Sequence, residues 1–403
     1  MKQKIIIIGG GAAGFFAAIT IAESNPDLEV IILEKGTKVL QKVKVSGGGR
    51  CNLTHACFIP NELIEFYPRG KKELLGPFHQ FMTGDTMEWF EKRGIPLKIE
   101  EDNRVFPESD SSQTIMDCLT INAANASVRL QLNQNVESIE KKGDLFIIKT
   151  NSSEFITEKL LITSGSSTKI WDLMTKLGHK IIPPVPSLFT FKINDNRIKE
   201  IPGVSVPNAT VSIIDSKFES KGSLLITHWG ISGPVILKLS AFGALFLAEK
   251  NYQYQVKVNW LSKPLSNVLH KLKILKKENP KKQIILRSVF KDIPKRLWEK
   301  LVIASEIKQD QCWANLSNKQ LDNLSNQLTS TIFNAYGKTT FKEEFVTAGG
   351  VDLKEVNFKR FESKIHKNLF FAGEVLNIDA VTGGFNFQNA WTGGFIAGET
   401  IGK

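Results

Sequence analysis

The sequence of 403 residues is poor in cysteine and histidine. Its four cysteines, Cys51, Cys57, Cys118 and Cys312, form no CxxC pair and no spacing typical of a zinc site. The six histidines show no HxH or HxxxH pattern. These absences argue against a disulfide scaffold, a dithiol redox centre and a metal site. We expect reduced, mostly buried thiols in a cytoplasmic protein.

Long hydrophobic runs are also missing. No apolar run reaches the roughly 18 residues that a membrane helix needs. The best candidate, residues 235–248, is shorter and contains Lys238, so we predict a core helix there. The apolar N-terminal run resembles a secretory signal, but glycines at positions 9, 11 and 14 between a strand pattern and a helix pattern are typical of a nucleotide-binding turn instead. The sequence therefore predicts a protein with no membrane segment.

Acidic residues are scarce in one segment. The net charge is +11, and residues 257–300 contain thirteen Lys or Arg but only three Asp or Glu. Such a segment is either a solvated helical face or a patch that binds RNA or another polyanion. Because its few aromatic residues do not form an interleaved stacking platform and it has no known nucleic-acid motif, we interpret it as a solvated surface. We expect no specific nucleic-acid partner.

The N-terminus has the pattern of a βαβ unit. Residues 5–8 and 30–33 are short apolar, β-branched runs, as in strands buried on both faces of a parallel sheet. Between them, residues 12–23 are rich in alanine and read as a helix that ends before Asn25-Pro26. A strand, a glycine turn, a helix and a second strand within about thirty residues form such a unit.

The rest of the chain divides at a proline cluster, residues 183–186. The chain is long enough for two or three domains. Strand patterns return near the C-terminus, so the fold class is α/β at both ends with a mixed insertion. The elements predicted are helices at 70–94, 111–125, 261–328 and 385–401, hairpins at 128–161, short strands at 188–227, and strands or extended chain at 160–163, 339–349 and 368–372.

The first glycine cluster, residues 9–14, has the GxGxxG spacing, and Glu34 follows twenty residues after Gly14. In this fingerprint the first glycine permits a tight turn, the second lets backbone approach a pyrophosphate, and the third allows close helix–strand packing. The helix N-terminus favours phosphate, and Glu34 can accept hydrogen bonds from a ribose. A purely structural turn is the alternative. The pattern indicates dinucleotide binding but does not separate NAD from FAD.

Two further glycine clusters favour FAD. Residues 45–54 read Val-Ser-Gly-Gly-Gly-Arg-Cys-Asn-Leu-Thr, in which consecutive glycine N–H groups can form an anion-binding nest beside Arg50. Residues 371–374 and 382–386 close the chain and open its last helix. A helix N-terminus placed there can face the pyrimidine end of a flavin, where negative charge grows on reduction.

The blocks SGGGRCN, THWGISGP, TAGGV and AGEVLNIDAVTGGFNFQNAW resemble the aminoacetone-oxidase-type, bile-acid-reductase-like family of bacterial flavoproteins. The resemblance implies a Rossmann-like FAD-binding domain of the glutathione-reductase type, made from residues 1–187 and 349–403. It also implies a β-barrel-like domain from residues 188–260 with 331–348, and a small helical domain from residues 261–330.

The resemblance extends the expected cofactor contacts beyond the glycine clusters. It places Val136 at the adenine through its backbone, Glu374 at the ribityl–phosphate region, and residues 382–386 at the flavin ring. The full set predicted to contact FAD is Gly9, Gly11, Ala12, Ala13, Gly14, Glu34, Lys35, Ser46, Gly47, Gly48, Gly49, Arg50, Cys51, Asn52, Val136, Thr163, Ser164, Gly165, Gly373, Glu374, Thr382, Gly383, Gly384, Phe385 and Asn386.

The chain departs from the family pattern at four places. Residues 163–166 read Thr-Ser-Gly-Ser where the family commonly has Ala-Thr-Gly-Gly, and the proline- and glycine-rich stretch that usually follows is shortened to residues 167–171. His55 replaces a frequent Asn, and Asn377 a frequent Asp. We expect FAD binding to survive these changes, whereas the substrate of any one family member does not transfer.

A catalytic side chain is weakly indicated. His228, before Trp229, is a candidate proton donor, and the alternative is a packed histidine that caps a helix at Ile231. Cys51 lies beside the predicted flavin loop, but without a neighbouring thiol we interpret it as lining the cofactor. A single dinucleotide fingerprint argues against a dedicated NADPH domain, so any NAD(P)H is expected to dock transiently.

These observations predict an FAD-dependent oxidoreductase that acts on a small organic substrate by hydride transfer at the flavin. Both an oxidase and an NAD(P)H-dependent reductase fit the sequence. The alternatives are a flavin-dependent tRNA-modifying protein, which the basic segment favours weakly, and a non-catalytic flavoprotein.

Overall fold

The computed structural model describes residues 2–339 and 346–403. The chain forms two compact units, Met1–Val185 with Lys342–Lys403, and Pro186–Phe341. The helices are α1 (Ala12–Ser24), α2 (Gln41–Gly49), α3 (Pro60–Leu63), α4 (Lys71–Phe78), α5 (Thr83–Glu91), α6 (Ser112–Asn125), α7 (Thr168–Lys176), α8 (Pro234–Phe242), α9 (Ala244–Glu249), α10 (Leu265–Glu278), α11 (Lys295–Ala304), α12 (Asn318–Thr329) and α13 (Phe385–Gly402), with short 3-10 turns at Ile64–Phe66, Trp313–Asn315 and Leu353–Glu355.

The strands account for most of the remaining regular structure. They are β1 (Lys4–Ile8), β2 (Glu29–Leu33), β3 (Thr54–His55), β4 (Leu97–Ile99), β5 (Arg104–Pro107), β6 (Arg129–Gln131), β7 (Val136–Lys142), β8 (Leu145–Thr150), β9 (Glu154–Thr157), β10 (Lys159–Ile162), β11 (Ile181–Ser187), β12 (Thr190–Ile193), β13 (Ser205–Ile213), β14 (Glu219–Thr227), β15 (Gly230–Ser232), β16 (Gln253–Asn259), β17 (Thr331–Thr339), β18 (Val346–Val351), β19 (Val356–Asn357), β20 (Glu362–Ser363) and β21 (Leu369–Phe371).

A seven-stranded sheet in the order β19-β20-β21-β10-β1-β2-β6 forms the centre of the first unit. Strands β6, β2, β1, β10 and β21 are parallel, and β20 and β19 extend one edge in antiparallel pairing. Ile5, Ile6 and Ile7 of β1 are fully buried because β1 has a neighbour on each side and helices cover the sheet. The predicted α/β, Rossmann-like fold class is confirmed.

The C-terminal helix α13 completes this unit by packing along α1. Three glycines of α13, at positions 394, 398 and 402, face α1 with little space to spare. A Cβ built on Gly398 would lie 2.8 Å from Thr20 Cβ, and one on Gly394 would lie 2.9 Å from Ala13 O. The glycine-rich sequence of the last helix therefore lets it lie close to the N-terminal helix, which explains how both chain ends form one sheet and its cover.

Two small antiparallel sheets, β3-β5-β4 and β7-β8-β9, support loops of the first unit. Strand β3 directly follows the second glycine cluster, and β7 begins at Val136. Strands β11 and β18 pair separately. The proline cluster at residues 183–186 lies within β11, and the division between the units falls between Val185 and Pro186.

The second unit contains a closed six-stranded barrel in the order β12-β15-β14-β13-β16-β17. Alternate side chains point inward, among them the fully buried Phe191, Val211 and Val256. Helices α10, α11 and α12 lie between β16 and β17 in the sequence, and their buried residues, including Leu272 and Trp298, belong to the same hydrophobic core as the barrel interior.

Two helices expected from the sequence differ in the structure, and one expected extended segment lies partly outside the described residues. The core helix predicted at 235–248 is present but divided at Gly243 into α8 and α9. The helix predicted at Ile231 is wrong: Ile231 pairs with Phe191 and Ile226 in the barrel, and α8 begins only at Pro234. Of the extended run predicted at 339–349, residues 340–345 lie outside the described residues.

Among the described residues, no helix combines the length and apolar character required to cross a membrane. Within residues 2–339 and 346–403, no group of three or more His, Cys, Asp or Glu side chains is suited to hold a metal ion.

Candidate cofactor-binding site

The glycine turn between β1 and α1 is built for close packing. Gly9 has φ +116°, and a Cβ there would lie 2.5 Å from Thr163 O. A Cβ on Gly14 would lie 2.1 Å from Gly9 O. Thr163 also donates its hydroxyl to Gly9 O at 2.9 Å. The first and third glycines are therefore required by the turn itself, with β10 as the neighbouring strand.

Gly11 is different, because it faces open space. It is the N-cap of α1 with φ −98°, and a Cβ built on it would meet no atom within 4 Å. No side chain caps this helix and no acidic residue lies in its first turn. The first N–H groups of a helix lack intrahelical acceptors and carry partial positive charge. The space before Gly11, with Ala12 and Ala13 behind it, is a cradle suited to a phosphate.

Glu34 lies at the end of β2, beside this turn. Its Oε2 accepts the Gly10 N–H at 2.9 Å, and its Oε1 accepts the Gly36 N–H at 2.8 Å. A carboxylate oxygen has two acceptor positions, so each can still accept a ribose hydroxyl. The two backbone bonds orient the carboxylate before any ligand arrives.

A groove beside Glu34 brings together several predicted contacts that are distant in sequence. Its lining includes the predicted residues Gly9, Glu34, Lys35, Val136 and Ser164. Further lining residues that the sequence reasoning missed are Ile8, Leu33, Gln134, Asn135, Ser167, Lys169 and Ile170. Gln134 and Asn135 directly precede Val136 in the sequence, and this position could have identified them as lining residues.

The Ser164 hydroxyl is buried and has no hydrogen-bond partner among the described residues. An orphaned polar group beside an open helix N-terminus fits a polar ligand at this place. Gly165, next in the chain, has φ +60° and lies near the side chains of Glu374 and Lys42.

The second glycine cluster is a kinked continuation of α2 rather than a plain loop. Ser46 leaves the helical conformation with ψ 151°, and Gly47, Gly48 and Gly49 have φ of +57°, +69° and +87°. A Cβ on Gly48 or Gly49 would meet nothing within 4 Å, so this backbone also faces open space. Without side chains at Gly48 and Gly49, the backbone N–H groups of this turn are open to an anion, as the sequence predicts.

The guanidinium of Arg50 contacts the β4–β5 hairpin and Asp110, which follows it in the sequence. It forms ion pairs with Glu100 at 2.6 Å and Asp110 at 3.3 Å and lies 4.0 Å from the ring centre of Phe106. The hydrogen bond to Glu100 raises the pKa of Arg50 further above its ordinary value. The guanidinium is therefore already paired, whereas the backbone at Gly48 and Gly49 faces open space, and Arg50 as a cofactor contact stays a prediction.

Cys51 and Asn52 follow in a tightly held backbone. With its amide oriented to satisfy both neighbours, Asn52 donates to Thr54 O at 3.1 Å and accepts the Gly384 N–H at 3.0 Å. Asn52 therefore ties the second glycine cluster to the third. Cys51 is fully buried with φ +63°, and burial raises the pKa of its thiol to about 12.

We expect Cys51 to be unreactive toward a thiol reagent at neutral pH in the folded protein, because the thiolate is the reactive form. Cys312 is partly exposed and should label first. Mass spectrometry of protein treated briefly with iodoacetamide, before and after denaturation, measures both sites. Rapid labelling of Cys51 without unfolding would contradict the assignment and support a redox thiol.

The third glycine cluster packs against the first two. Gly384 is the N-cap of α13 with φ +90°, and a Cβ there would lie 2.5 Å from Thr54 O. Gly373 has φ +77°, and a Cβ built on it would lie 3.2 Å from Ala13 Cβ. The side chain of Asn386 bonds both the N–H and the C=O of Ala380, at 2.9 and 3.1 Å, and so closes the loop that contains the exposed Thr382 and the half-buried Gly383.

Phe385 anchors the start of α13 in an aromatic stack. Its ring centre lies 4.1 Å from that of Phe66 and 4.6 Å from that of His55, and Tyr67 donates its hydroxyl to Phe385 O at 2.6 Å. Burial lowers the pKa of His55, and its Nδ1 has no partner among the described residues. His55, which the family resemblance flagged only as a departure, thus belongs to this region.

A buried polar network supports the same helix one turn further on. Gln388 Oε1 accepts the hydroxyls of Thr54 at 2.6 Å and Thr86 at 3.0 Å, and its Nε2 donates to Thr392 Oγ1 at 3.0 Å. All four residues are fully buried. The sequence reasoning missed this network, because nothing in the pattern of α13 reveals which segment Gln388 faces.

His228 lies exposed in the turn between β14 and β15 of the second unit. The alternative interpretation, a packed histidine capping a helix at Ile231, is wrong because that segment is strand β15. The proposed proton-donor role of His228 stays a prediction.

These features define a class: a Rossmann-type FAD-binding fold, shared with the flavin-dependent oxidoreductases. The chain belongs to the family described as HI0933-like protein Rossmann domain, which matches residues 3–400. This membership, with the relatives below, identifies it as an enzyme of the oxidoreductase class.

Two relatives with assigned names align along nearly the whole chain. The 3-dehydro-bile acid delta(4,6)-reductase of Clostridium scindens is 28% identical over 414 residues, covering 100% of this chain and 99% of the relative. A ribosomal RNA dihydrouridine synthase of Haemophilus influenzae is 28% identical over 412 residues, covering 99% and 98%.

Among solved structures, a 3-ketosteroid-delta4-(5alpha)-dehydrogenase from Rhodococcus jostii in complex with 4-androstene-3,17-dione superposes with a TM-score of 0.52. It shares 11% sequence identity, and the match covers 100% of this chain and 97% of that one. At this identity the likeness supports the fold.

Proposed function

We propose that this enzyme binds one FAD in the first unit and reduces an activated carbon–carbon double bond in its substrate. The observation that carries the cofactor proposal is the meeting of three glycine clusters around open space, with an uncapped helix N-terminus at Gly11 and a preoriented carboxylate at Glu34. The unpartnered Ser164 hydroxyl fits the same ligand.

Each part of the site has a proposed role. Gly11, Ala12 and Ala13 present backbone N–H groups to the pyrophosphate, Glu34 receives the adenosine ribose, and Val136 borders the adenine. The ribityl chain is received by Glu374. The flavin ring is held between the second and third glycine clusters, namely Ser46, Gly47, Gly48, Gly49, Arg50, Cys51 and Asn52 on one side and Thr382, Gly383, Gly384, Phe385 and Asn386 on the other.

The N-terminus of α13 has an electrostatic task in this arrangement. Its partial positive charge stabilises negative charge at the pyrimidine end of the ring. Asn52 and Gln388 hold that terminus through Gly384 and Thr54. When bound, the flavin supplies hydride transfer, while the chain orients the reacting groups and excludes water.

The names of the relatives favour the reductive direction. One describes reduction of delta(4,6) double bonds in a 3-dehydro bile acid, and the other describes formation of dihydrouridine, which is the reduction of a carbon–carbon double bond in uridine. Both double bonds are conjugated with a carbonyl group. The shared chemistry is therefore reduction of a conjugated alkene, and a small organic molecule is the first substrate class proposed.

A nicotinamide donor is proposed to dock transiently. One Rossmann sheet with one GxGxxG turn serves the FAD, and Glu34 then faces the FAD ribose. Glu34 consequently does not select NADH or NADPH.

A uridine in ribosomal RNA is the second candidate substrate. It is favoured by the name of the Haemophilus relative and by the exposed cations of the helical insertion in the second unit, including Lys271, Lys273, Lys277 and Lys281. Our sequence interpretation treats that segment as a solvated surface without a specific RNA role, and this stays a prediction.

Anaerobic mixing tests the proposal. The purified protein should carry FAD, and NADH or NADPH should bleach the oxidised flavin band. The reduced protein should then be reoxidised by a 3-oxo-4-ene steroid or by a uridine-containing ribosomal RNA transcript, and product analysis distinguishes the two. Reduction only by amines, with reoxidation by oxygen, would make the enzyme an oxidase. Reduction by dithionite alone would indicate a non-catalytic flavoprotein.

Binding to RNA is checked separately. We expect non-specific binding at low salt that fades steeply as salt rises, because counterion release then contributes less. Nanomolar binding of ribosomal RNA that persists near physiological salt would overturn the solvated-surface interpretation and favour the second candidate.

A further inference from the structure

Lys42 and Glu374 meet in the first unit, although more than three hundred residues separate them. The Lys42 ammonium bonds Glu374 Oε2, and Glu374 Oε1 accepts the Thr347 N–H at 3.2 Å. A Cβ built on Gly165 would lie 3.8 Å from Glu374 Oε2 and 4.0 Å from Lys42 Nζ. Four separate segments of the chain therefore meet at this ion pair.

The backbone places this ion pair beside the glycine turn. Leu40 donates its N–H to Gly10 O at 2.9 Å, so α2 starts against the turn and Lys42 lies in its first turn. From the other side, Gly373 approaches Ala13, which brings the following Glu374 to the first turn of α1. Both partners of the ion pair therefore belong to segments that contact the glycine turn around Gly11.

A cation is electrostatically favourable between Glu374 and a bound pyrophosphate. The Glu374 side chain is 19% exposed, so its carboxylate is only partly screened by water. A dianionic pyrophosphate in the neighbouring cradle would repel it. A lysine between the two anions removes that repulsion, and the Lys42 side chain, 57% exposed, can adjust its position without losing buried contacts.

We propose that Lys42 is a cofactor-binding residue whose ammonium lies between the Glu374 carboxylate and the FAD pyrophosphate and contacts both. The inference rests on the proposed binding of FAD and assigns a side-chain cation to it. Helix α2 thereby contributes to the cofactor site through its first turn as well as through its glycines.

Calorimetric titration of the apo-protein with FAD and, separately, with ADP tests this role. ADP is the decisive probe because it has the two phosphates but no ribityl chain. Lys42→Gln should weaken both ligands about tenfold, the effect of losing one charge-assisted hydrogen bond. Lys44→Gln, an exposed lysine of the same helix, is the matched control and should leave both affinities unchanged.

A second pair of variants separates the partners. Glu374→Gln should weaken FAD but leave ADP binding as tight as in the unmodified protein or tighter. Lys42→Arg, which keeps the charge, should retain most of the affinity for both ligands. The unfolding temperature of the apo-protein checks that Lys42→Gln leaves the fold intact.

Unchanged ADP affinity in Lys42→Gln would overturn the inference, since Lys42 would then serve only to orient Glu374. If the unmodified protein binds neither FAD nor ADP, the proposed function fails instead. The two failures are therefore distinguishable.

Discussion

Replacing Gly11 with valine is expected to give a folded, colourless protein. Gly11 has an extended backbone conformation that valine adopts readily, and its Cβ would contact no atom of the chain within 4 Å. The added side chain therefore costs the fold little but occupies the space where the pyrophosphate would bind. Several N–H bonds to charged oxygens would be lost, each contributing about 1.5–3 kcal/mol.

The measurement is the ratio of flavin to protein after purification, together with circular dichroism to confirm folding. Gly76→Val is the matched control, because Gly76 also has open space around its Cβ but lies in the exposed part of α4. The control should retain FAD. Full FAD occupancy in a folded Gly11→Val protein would remove the central claim about the site.

Replacing Asp379 with asparagine is expected to lower the free energy of unfolding strongly. Asp379 is fully buried and forms a two-pronged ion pair with Arg69, whose side chain is 11% exposed. Removing one partner of a buried pair leaves the other charge desolvated and costs about 3–5 kcal/mol. The pair also matters for the site, because Asp379 lies in the segment between Glu374 and the start of α13.

Urea unfolding of the apo-protein measures this change in the free energy of unfolding. The matched control is Glu88→Gln, which removes an exposed i,i+4 partner of Lys92 on α5. Exposed pairs of this kind contribute about 0.3–0.5 kcal/mol, so the control should unfold almost as the unmodified protein does. A loss below about 1 kcal/mol in Asp379→Asn would contradict the importance assigned to the pair.

The βαβ unit could be predicted because its signals are local. Its signals are four consecutive buried isoleucines in β1, an alanine-rich α1 and the glycine spacing between them, all of which depend on near neighbours in the chain. The different tasks of Gly9 and Gly11 follow the same fingerprint: the structure crowds the first and leaves space at the second. Local propensity and tertiary packing agree here, as they do in strongly periodic segments.

The predicted helix at Ile231 shows where local reasoning failed. An apolar run that begins at Ile231 and is interrupted by Ser232-Gly233-Pro234 reads as a helix start, but its first residues pair with two barrel strands. A short apolar run does not by itself distinguish a buried strand from a helix. Only the closure of the barrel settles the assignment.

The sequence by itself determined the fold class, the order of the glycine clusters and the residue types that suit FAD, because these depend on backbone freedom and on spacing along the chain. The tertiary structure alone decided which clusters meet. It set Lys42 against Glu374, Asn52 against Gly384, and Asp379 against Arg69. Such contacts join residues hundreds of positions apart, and their partners are selected by the packing of α13 on α1 and the strand order of the sheet, which no local pattern contains.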